Sequence, residues 1–304
     1  MKLALQLNKI EYLYDYLSMG VELFVVGGEY SMQAVLKLSV EEIKQVKEKC
    51  NHKKVYVLVN GLYDQYEMEG LSLYLKELNG IIDGLLFQDF GVLQIVKENK
   101  YSFDMMYTPE TLNTNGLSIN ALSKYGVTSA FVSGVIPLEE QLIIKEQCSI
   151  PLMIKGHGIE YLASSKRKLL STYKDASSKD FSTNQTLIMK PRDSDFKCYI
   201  YEDQRGTHVL SYDRLYTLDL FNTLKVFDYL YIETLMMNEN EAVEVVSLYS
   251  DALKGLENGR YNKEVKEFLP LLKKLNSSLT RGFLFDQSVY KLEDMRKIDN
   301  ERNQ

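Results

Sequence analysis

The sequence predicts an α/β fold, a TIM-type (β/α)8 barrel with an insertion between its seventh and eighth strands. Three observations carry that prediction. Short β-rich runs alternate with segments of helical period every 20–30 residues or so, the pattern of repeated βα units on a parallel sheet. Seven such strands, with helices between them, run through Ile154, and an eighth strand and helix follow a polar interruption. This suits a barrel, typically about 250 residues before insertions. No dinucleotide fingerprint follows the first strand, which weighs against an open doubly wound sheet.

The strands are read at Leu3–Leu7, Leu23–Val26, Val55–Val59, Gly84–Phe87, Phe103–Met106, Thr128–Val132 and Pro151–Ile154. Helices are expected near residues 9–19, 40–49, 66–79, 90–98, 117–124 and 138–146. Ser39 followed by Glu42 has the spacing of a capping box and opens the second helix. Residues 155–182 are polar and short of apolar periodicity, and 186–211 read as extended pieces with a turn at Asp203-Gln204-Arg205-Gly206. Tyr229–Ile232 is the eighth strand candidate, Glu241–Lys254 an amphipathic helix, and a last helix spans about 261–275. Residues 1–255 therefore form the barrel with its insertion at 155–215, and 256–304 a C-terminal helical extension.

The chain carries 36 Lys+Arg against 42 Asp+Glu, a net charge of −6, with 45% hydrophobic and 26% charged residues. These are ordinary values for a globular protein and exclude disordered, collagenous and disulfide-stapled classes. No stretch approaches the ~18 apolar residues of a membrane helix. Met1 to Gln6 holds one lysine and runs into Asn8-Lys9, unlike a signal peptide, so a cytoplasmic location is expected. Cys50, Cys148 and Cys198 are widely spaced, which reads as free thiols.

In a barrel, function sits where strands end and βα loops begin. The polar residues there are Asn8, Gly27-Gly28-Glu29, Asn60, Gln88-Asp89, Thr108-Pro109-Glu110, Ser133-Gly134, Lys155-Gly156-His157-Gly158 and Glu233. Such residues also serve simply as caps of the following helix. Motifs of zinc proteases, nucleophile-elbow hydrolases and P-loops are absent. With only His52, His157 and His208, and His52 in a helix-to-strand connection, a three-histidine metal site has no basis. Lys155 is the nearest candidate for a Schiff-base lysine. Residues 155–180 hold Lys155, Lys166, Arg167, Lys168, Lys174 and Lys179 against Glu160, Asp175 and Asp180, with Tyr161 and Tyr173 interleaved. That composition fits an RNA-gripping loop or a solvated lid.

Several motifs resemble those of peptidase family U32, the collagenase-like peptidases. His157-Gly158 through Arg167-Lys168-Leu169-Leu170-Ser171 is similar to H-G-x-x-C-x-S-x-S-G-R-C-x-x-S. Gln88-Asp89-Phe90-Gly91 resembles Q-D-x-G, and Thr108-Pro109-Glu110 with Asn115 occupies the place of S-T-Q-x-x-x-x-N. Glu202-Asp203, Arg205 and Gly206-Thr207 match E-D-x-x-G-T, and Tyr231-Ile232-Glu233 matches K-I-E-G-R in part. The resemblance implies a TIM-type barrel and either proteolysis or oxygen-independent hydroxylation, such as that of tRNA wobble uridine with prephenate as co-substrate. Members of the second kind hold an iron–sulfur cluster on four cysteines. Here the corresponding positions include Tyr161, Lys168 and Tyr216, so no cluster is expected. The family's Arg-Glu after the sixth strand is Gly134-Val135, and its Gly-Arg after Glu233 is Thr234-Leu235.

Length and missing cysteines resemble the shorter of two family members that occur as a pair in many Gram-positive bacteria. The expected role is thus that of a cluster-lacking subunit acting with a longer family paralogue, and with tRNA, in wobble-uridine hydroxylation. The alternatives are a collagenase-like peptidase using Glu110, Glu202 or Glu233, and a scaffold subunit. On this reading His157, Glu202 and Glu233 are catalytic candidates. Asn60, Gln88, Asp89, Glu110, Asn115 and Arg205 bind substrate, and Lys155, Lys166, Arg167 and Lys168 bind RNA. His157, Glu202, Arg205 and Glu233 are expected to converge at the barrel mouth, with Arg205 clamping a carboxylate or phosphate.

Overall fold

Eight parallel strands close on one another in the computed structural model, which describes residues 1–190, 192 and 196–286. The first four units are β1 (Lys2–Gln6) with α1 (Leu13–Ser18), β2 (Val21–Val26) with α2 (Val40–Cys50), β3 (Lys54–Val59) with α3 (Met68–Leu78), and β4 (Gly84–Phe87) with α4 (Phe90–Glu98). Next come β5 (Asp104–Tyr107) with α5 (Gly116–Ser123), β6 (Ser129–Phe131) with α6 (Leu138–Gln147), and β7 (Leu152–Ser165). The insertion adds α7 (Leu169–Ser177), β8 (Leu187–Met189), β9 (Cys198–Asp203) and β10 (Gly206–Tyr216). After the short α8 (Phe221–Leu224), the eighth barrel strand β11 (Tyr229–Ile232) pairs in parallel with both β1 and β7 and closes the ring. The shell is completed by α9 (Glu239–Glu257), α10 (Tyr261–Leu275) and the two-residue β12 (Leu279–Thr280).

Local chemistry accounts for many element starts. The Ser39 Oγ accepts from the Glu42 N–H at 3.3 Å while the Glu42 carboxylate accepts from the Ser39 N–H at 2.8 Å, the expected capping box. Asn238 caps α9 one way, its side chain accepting from Glu241 N at 2.9 Å. The first helix begins later than expected because Lys9 offers no capping side chain, and a 3-10 turn fills Ile10–Tyr12.

Alternation along the strands sorts side chains into two cores. One face, with Ala4, Leu23, Val25, Leu58, Leu86, Met106 and Tyr231, fills the lumen. The other packs Phe24, Val57, Phe87 and Ile232 beneath the helices. At the strands' N-terminal end the lumen is plugged by polar groups, since Asp104 accepts from Lys54 at 2.6 Å and from Tyr56 at 2.7 Å. The last helix is seated on the barrel, because Tyr261 stacks on Phe221 with ring centroids 5.5 Å apart and donates to the Leu218 carbonyl at 2.8 Å. The part of the expected C-terminal extension beyond residue 286 lies outside the described residues.

The insertion corrects the expectation that strand structure stops at Ile154. β7 continues for 14 residues because β10 returns antiparallel along it, from Thr207 opposite Ser165 to Tyr216 opposite His157. β9 and β8 extend this small antiparallel sheet. Pairing with a strand some fifty residues away leaves no local periodic mark. The α7 helix, also unexpected, buries only Leu170.

Candidate functional site

The C-terminal ends of β3, β5, β7 and β11 supply the side chains that line the barrel mouth, a narrow cleft with about 50 Å³ of accessible space. Its charged residues are Glu110, Lys155, Glu160 and Glu233. Lys155 is the hub. Its Nζ lies 3.3 Å from Glu233 Oε2 and 3.5 Å from Glu160 Oε2, and it donates to the Ile159 carbonyl. All three side chains are nearly enclosed, at 9%, 11% and 8% exposure for Lys155, Glu233 and Glu160.

Enclosure sets the charge states. Burial alone would discharge the Lys155 ammonium, but Glu160, Glu233 and Glu110 outweigh it and hold its pKa above the ordinary value. A lysine kept charged in this way is a poor Schiff-base nucleophile. Burial pushes Glu233 upward against the pull of Lys155. Glu110 is pushed up to about 7, mainly by burial and further by Glu233, while Lys155 and a hydrogen bond from Asn60 oppose the shift. Glu110 also has φ of 56°, a left-handed conformation that non-glycine residues seldom adopt and that concentrates at functional sites. Asn60 is fixed by accepting the Met32 N–H at 2.9 Å on its Oδ1.

A β-bulge decides which residues reach this mouth. Along β7 and β11, Tyr231 lies opposite Lys155 but Ile232 lies opposite His157, so Gly156 is the extra residue. One extra residue inverts the faces beyond it. Lys155 therefore points into the lumen, whereas His157, two positions on, is fully buried beneath α9. There its Nδ1 lies 3.4 Å from the Tyr249 hydroxyl, and burial, with help from Arg214, lowers its pKa to about 3, so the ring is neutral. A Cβ on Gly156 would stand 2.5 Å from Leu230. After the bulge the chain brings in Glu160, whose Oε2 would lie 2.6 Å from a Cβ at Gly134.

The expected convergence of four residues is corrected accordingly, since Glu233 alone of the four lines the mouth. Glu202 sits on β9 and accepts from the N–H groups of Leu170 and Ser171 at 3.0 and 3.1 Å, and from the Ser171 hydroxyl, so it caps α7. Those hydrogen bonds outweigh its partial burial and hold its pKa below the usual carboxylate value. Arg205 pairs with Glu67 at 3.0 Å and lies 5.0 Å over the Tyr63 ring, in a separate cleft that also holds Asp64, Tyr66 and Lys166. Its fork is engaged across to the β3–α3 loop instead of aimed at the mouth.

The remaining sequence candidates divide in the same way. Asn60 and Glu110 line the mouth, and Gln88 donates to the Asn60 carbonyl. Asp89 caps α4 through Gly91 N at 2.8 Å and accepts from Tyr63 N at 3.0 Å. Asn115 caps α5 through Ser118 N at 2.8 Å. Of the four basic candidates, Lys155 is inside the mouth, Lys166 pairs with Asp64, and Arg167 and Lys168 are exposed. Sequence reasoning missed Glu160, Tyr161 and Gln6 as lining residues. Gln6, within the first expected strand, could have been found by alternation from Ala4, whereas Glu160 could not, because the bulge breaks the parity. Among the described residues no group of three His, Cys, Asp or Glu side chains could hold a metal ion. No described helix is long and apolar enough to cross a membrane.

Comparison with known proteins gives a consistent set of similarities. The sequence model of peptidase family U32 matches residues 6–294. The chain is 24% identical over 287 residues to tRNA hydroxylation protein P2 of Bacillus subtilis (strain 168), spanning 89% of this chain and 93% of that protein. It is 28% identical over 145 residues to tRNA hydroxylation protein P of Haemophilus influenzae (strain ATCC 51907 / DSM 11121 / KW20 / Rd), which covers 46% of this chain and 30% of that protein. Among solved structures, the U32 peptidase Mk0906 superposes with a TM-score of 0.49 at 14% identity, covering 77% of this chain and 92% of that one.

Proposed function

The chain belongs to peptidase family U32, and from that membership we propose that it is a cluster-lacking subunit of a tRNA wobble-uridine hydroxylation system, working in the cytoplasm beside a longer family paralogue. The observation that carries this reading is the match to tRNA hydroxylation protein P2, which runs through 93% of that protein's length. An iron–sulfur cluster does not fit this chain. The positions that resemble the family's thiolate ligands hold Tyr161 on β7, Lys168 before α7 and Tyr216 on β10, and none supplies a thiolate. The three cysteines end α2, cap the C-terminus of α6 and lie on β9, too dispersed to substitute.

The division of labour follows from charge. Prephenate is a dicarboxylate, and a mouth with three carboxylates around one engaged lysine repels it, so prephenate and the cluster fall to the longer partner. This chain contributes the exposed Arg167 and Lys168 for tRNA phosphates, and Tyr161 and Glu233 at the mouth. The test is 5-hydroxyuridine in tRNA from a strain lacking only this gene. Complementation by the wild-type chain should restore it, and Arg167→Glu with Lys168→Glu should not. Normal modification in the deletion strain would overturn the proposal.

A second reading has one observation in its favour. Glu110, at about 7, beside Glu233 is the kind of carboxylate pair that acid–base hydrolysis uses. Peptide cleavage by the pure chain that disappears in Glu233→Gln would establish it.

A further inference from the structure

We infer that the barrel mouth is a receptor for the head group of an organic cation, a guanidinium or primary ammonium. The inference concerns this mouth alone and does not depend on tRNA being the substrate. It starts from a charge imbalance, because three carboxyl groups, Glu110, Glu160 and Glu233, face one cation, Lys155.

Lys155 has no capacity left to neutralise them. Its ammonium already donates to the Ile159 carbonyl and Glu233 Oε2 and pairs with Glu160 Oε2 at 3.5 Å. Two buried acceptors on the mouth lining nevertheless lack a partner, Glu160 Oε1 and Gln6 Oε1. Glu160 is 6% exposed and Gln6 2% exposed, so bulk water does not serve them. The orientation of the Gln6 amide is fixed, since its Nε2 donates to the Gln33 carbonyl at 3.1 Å. One unpartnered donor, Gln33 Nε2, also lines the cleft.

Buried carboxylate and amide oxygens without partners are costly to leave so, and a ligand that brings N–H donors and positive charge relieves both deficits. A metal ion fits less well, because no three of these groups are arranged to hold one among the described residues. Lys155 already occupies the space between Glu160 and Glu233. A guanidinium or ammonium head group supplies N–H donors to such oxygens together with its charge.

The experiment is calorimetric titration of the full chain with n-butylguanidinium, n-butylammonium, butyrate, butyramide and magnesium chloride. The two cations should bind saturably and butyrate should not bind. Glu160→Gln should weaken the cations at least tenfold. Gln6→Leu should weaken them severalfold and settles the matter if Glu160→Gln fails to fold. Absence of cation binding, butyramide or magnesium binding as tightly as the cations, or cation affinity unchanged in both variants would each overturn the inference. Competition then separates two sources of the same chemistry. Better displacement of butylguanidinium by spermidine than by a capped arginine assigns a free polyamine, and the reverse order assigns a side chain from a protein partner.

Discussion

Replacing Lys155 by methionine removes the one cation among three mouth carboxylates while keeping most of its volume. At an effective dielectric constant of about 20, an ion contact of this length is worth roughly 5 kcal/mol before desolvation. Lys155 makes two, at 3.3 and 3.5 Å. Desolvation of the ammonium cancels several kcal/mol of that sum, and removal of one partner from a buried ion pair costs about 3–5 kcal/mol net. The loss has a defined pH dependence. A carboxyl group whose folded pKa exceeds its unfolded value stabilises the fold at low pH, and that contribution is lost as pH rises through the folded pKa. Glu110, already at about 7, and Glu233, already raised, move further up once Lys155 no longer opposes burial. Urea denaturation should therefore show the full deficit at about pH 8 and a much smaller one near pH 5, where the carboxyls are protonated in the variant, each recovering about 1.4 kcal/mol per pH unit. Equal losses at both pH values, or a loss below about 1 kcal/mol at the higher one, would refute the account of the mouth as an ion network centred on Lys155.

Other consequences are as direct. Arg214→Met strands the buried Glu241, 2.8 Å away, and should cost about 3–5 kcal/mol, whereas the exposed pair at Lys254 should lose under ~0.5 kcal/mol on Lys254→Met, both read by thermal unfolding. Gly134→Ala places a Cβ 2.6 Å from Glu160 Oε2, which should cost about 1–3 kcal/mol and displace that carboxylate in a crystal structure of the variant. Glu202→Ala removes the cap of α7 and should cost about 1 kcal/mol, with faster hydrogen exchange at Leu170 and Ser171, and unchanged exchange there would show that the carboxylate does not cap the helix. Anaerobic reconstitution with iron and sulfide should leave the chain without a cluster, and an uptake of about four irons would contradict the ligand argument.

The expected elements and the observed ones agree best where the signal is local. Tyr229–Ile232 is the eighth strand with no shift of its ends, and Tyr261–Leu275 is the last helix. Ser39 and Glu42 are three residues apart and need nothing else to form their capping box. Asp89 and Asn115 show the reverse side of the same rule, since both turned out to cap helices, the ordinary use of such residues after a strand.

The candidate site was legible only in part. Asn60, Glu110, Lys155 and Glu233 stand at strand ends and do line the mouth, but no spacing reveals the ion network centred on Lys155 that Asn60 borders. Glu202 and Arg205, adjacent to a turn in a recognisable motif, were drawn elsewhere by partners far along the chain, the α7 N-terminus and Glu67.

The sequence by itself determined that eight β-rich runs would alternate with helices, that their closure would make a barrel, and that no thiolate set for a cluster was present. Those properties follow from apolar period, capping chemistry and residue identity, each readable within a few neighbouring positions. Only the tertiary structure decided that β7 would run on to Ser165, that Gly156 would be a bulge, and that Lys155 and His157 would consequently face opposite sides of the same strand. The first depends on β10 as a distant antiparallel partner, and the second on pairing with β11 one register later. Side-chain direction in a strand has a period of two, so a single unpaired residue reverses it, and pairing register is settled between strands rather than within one.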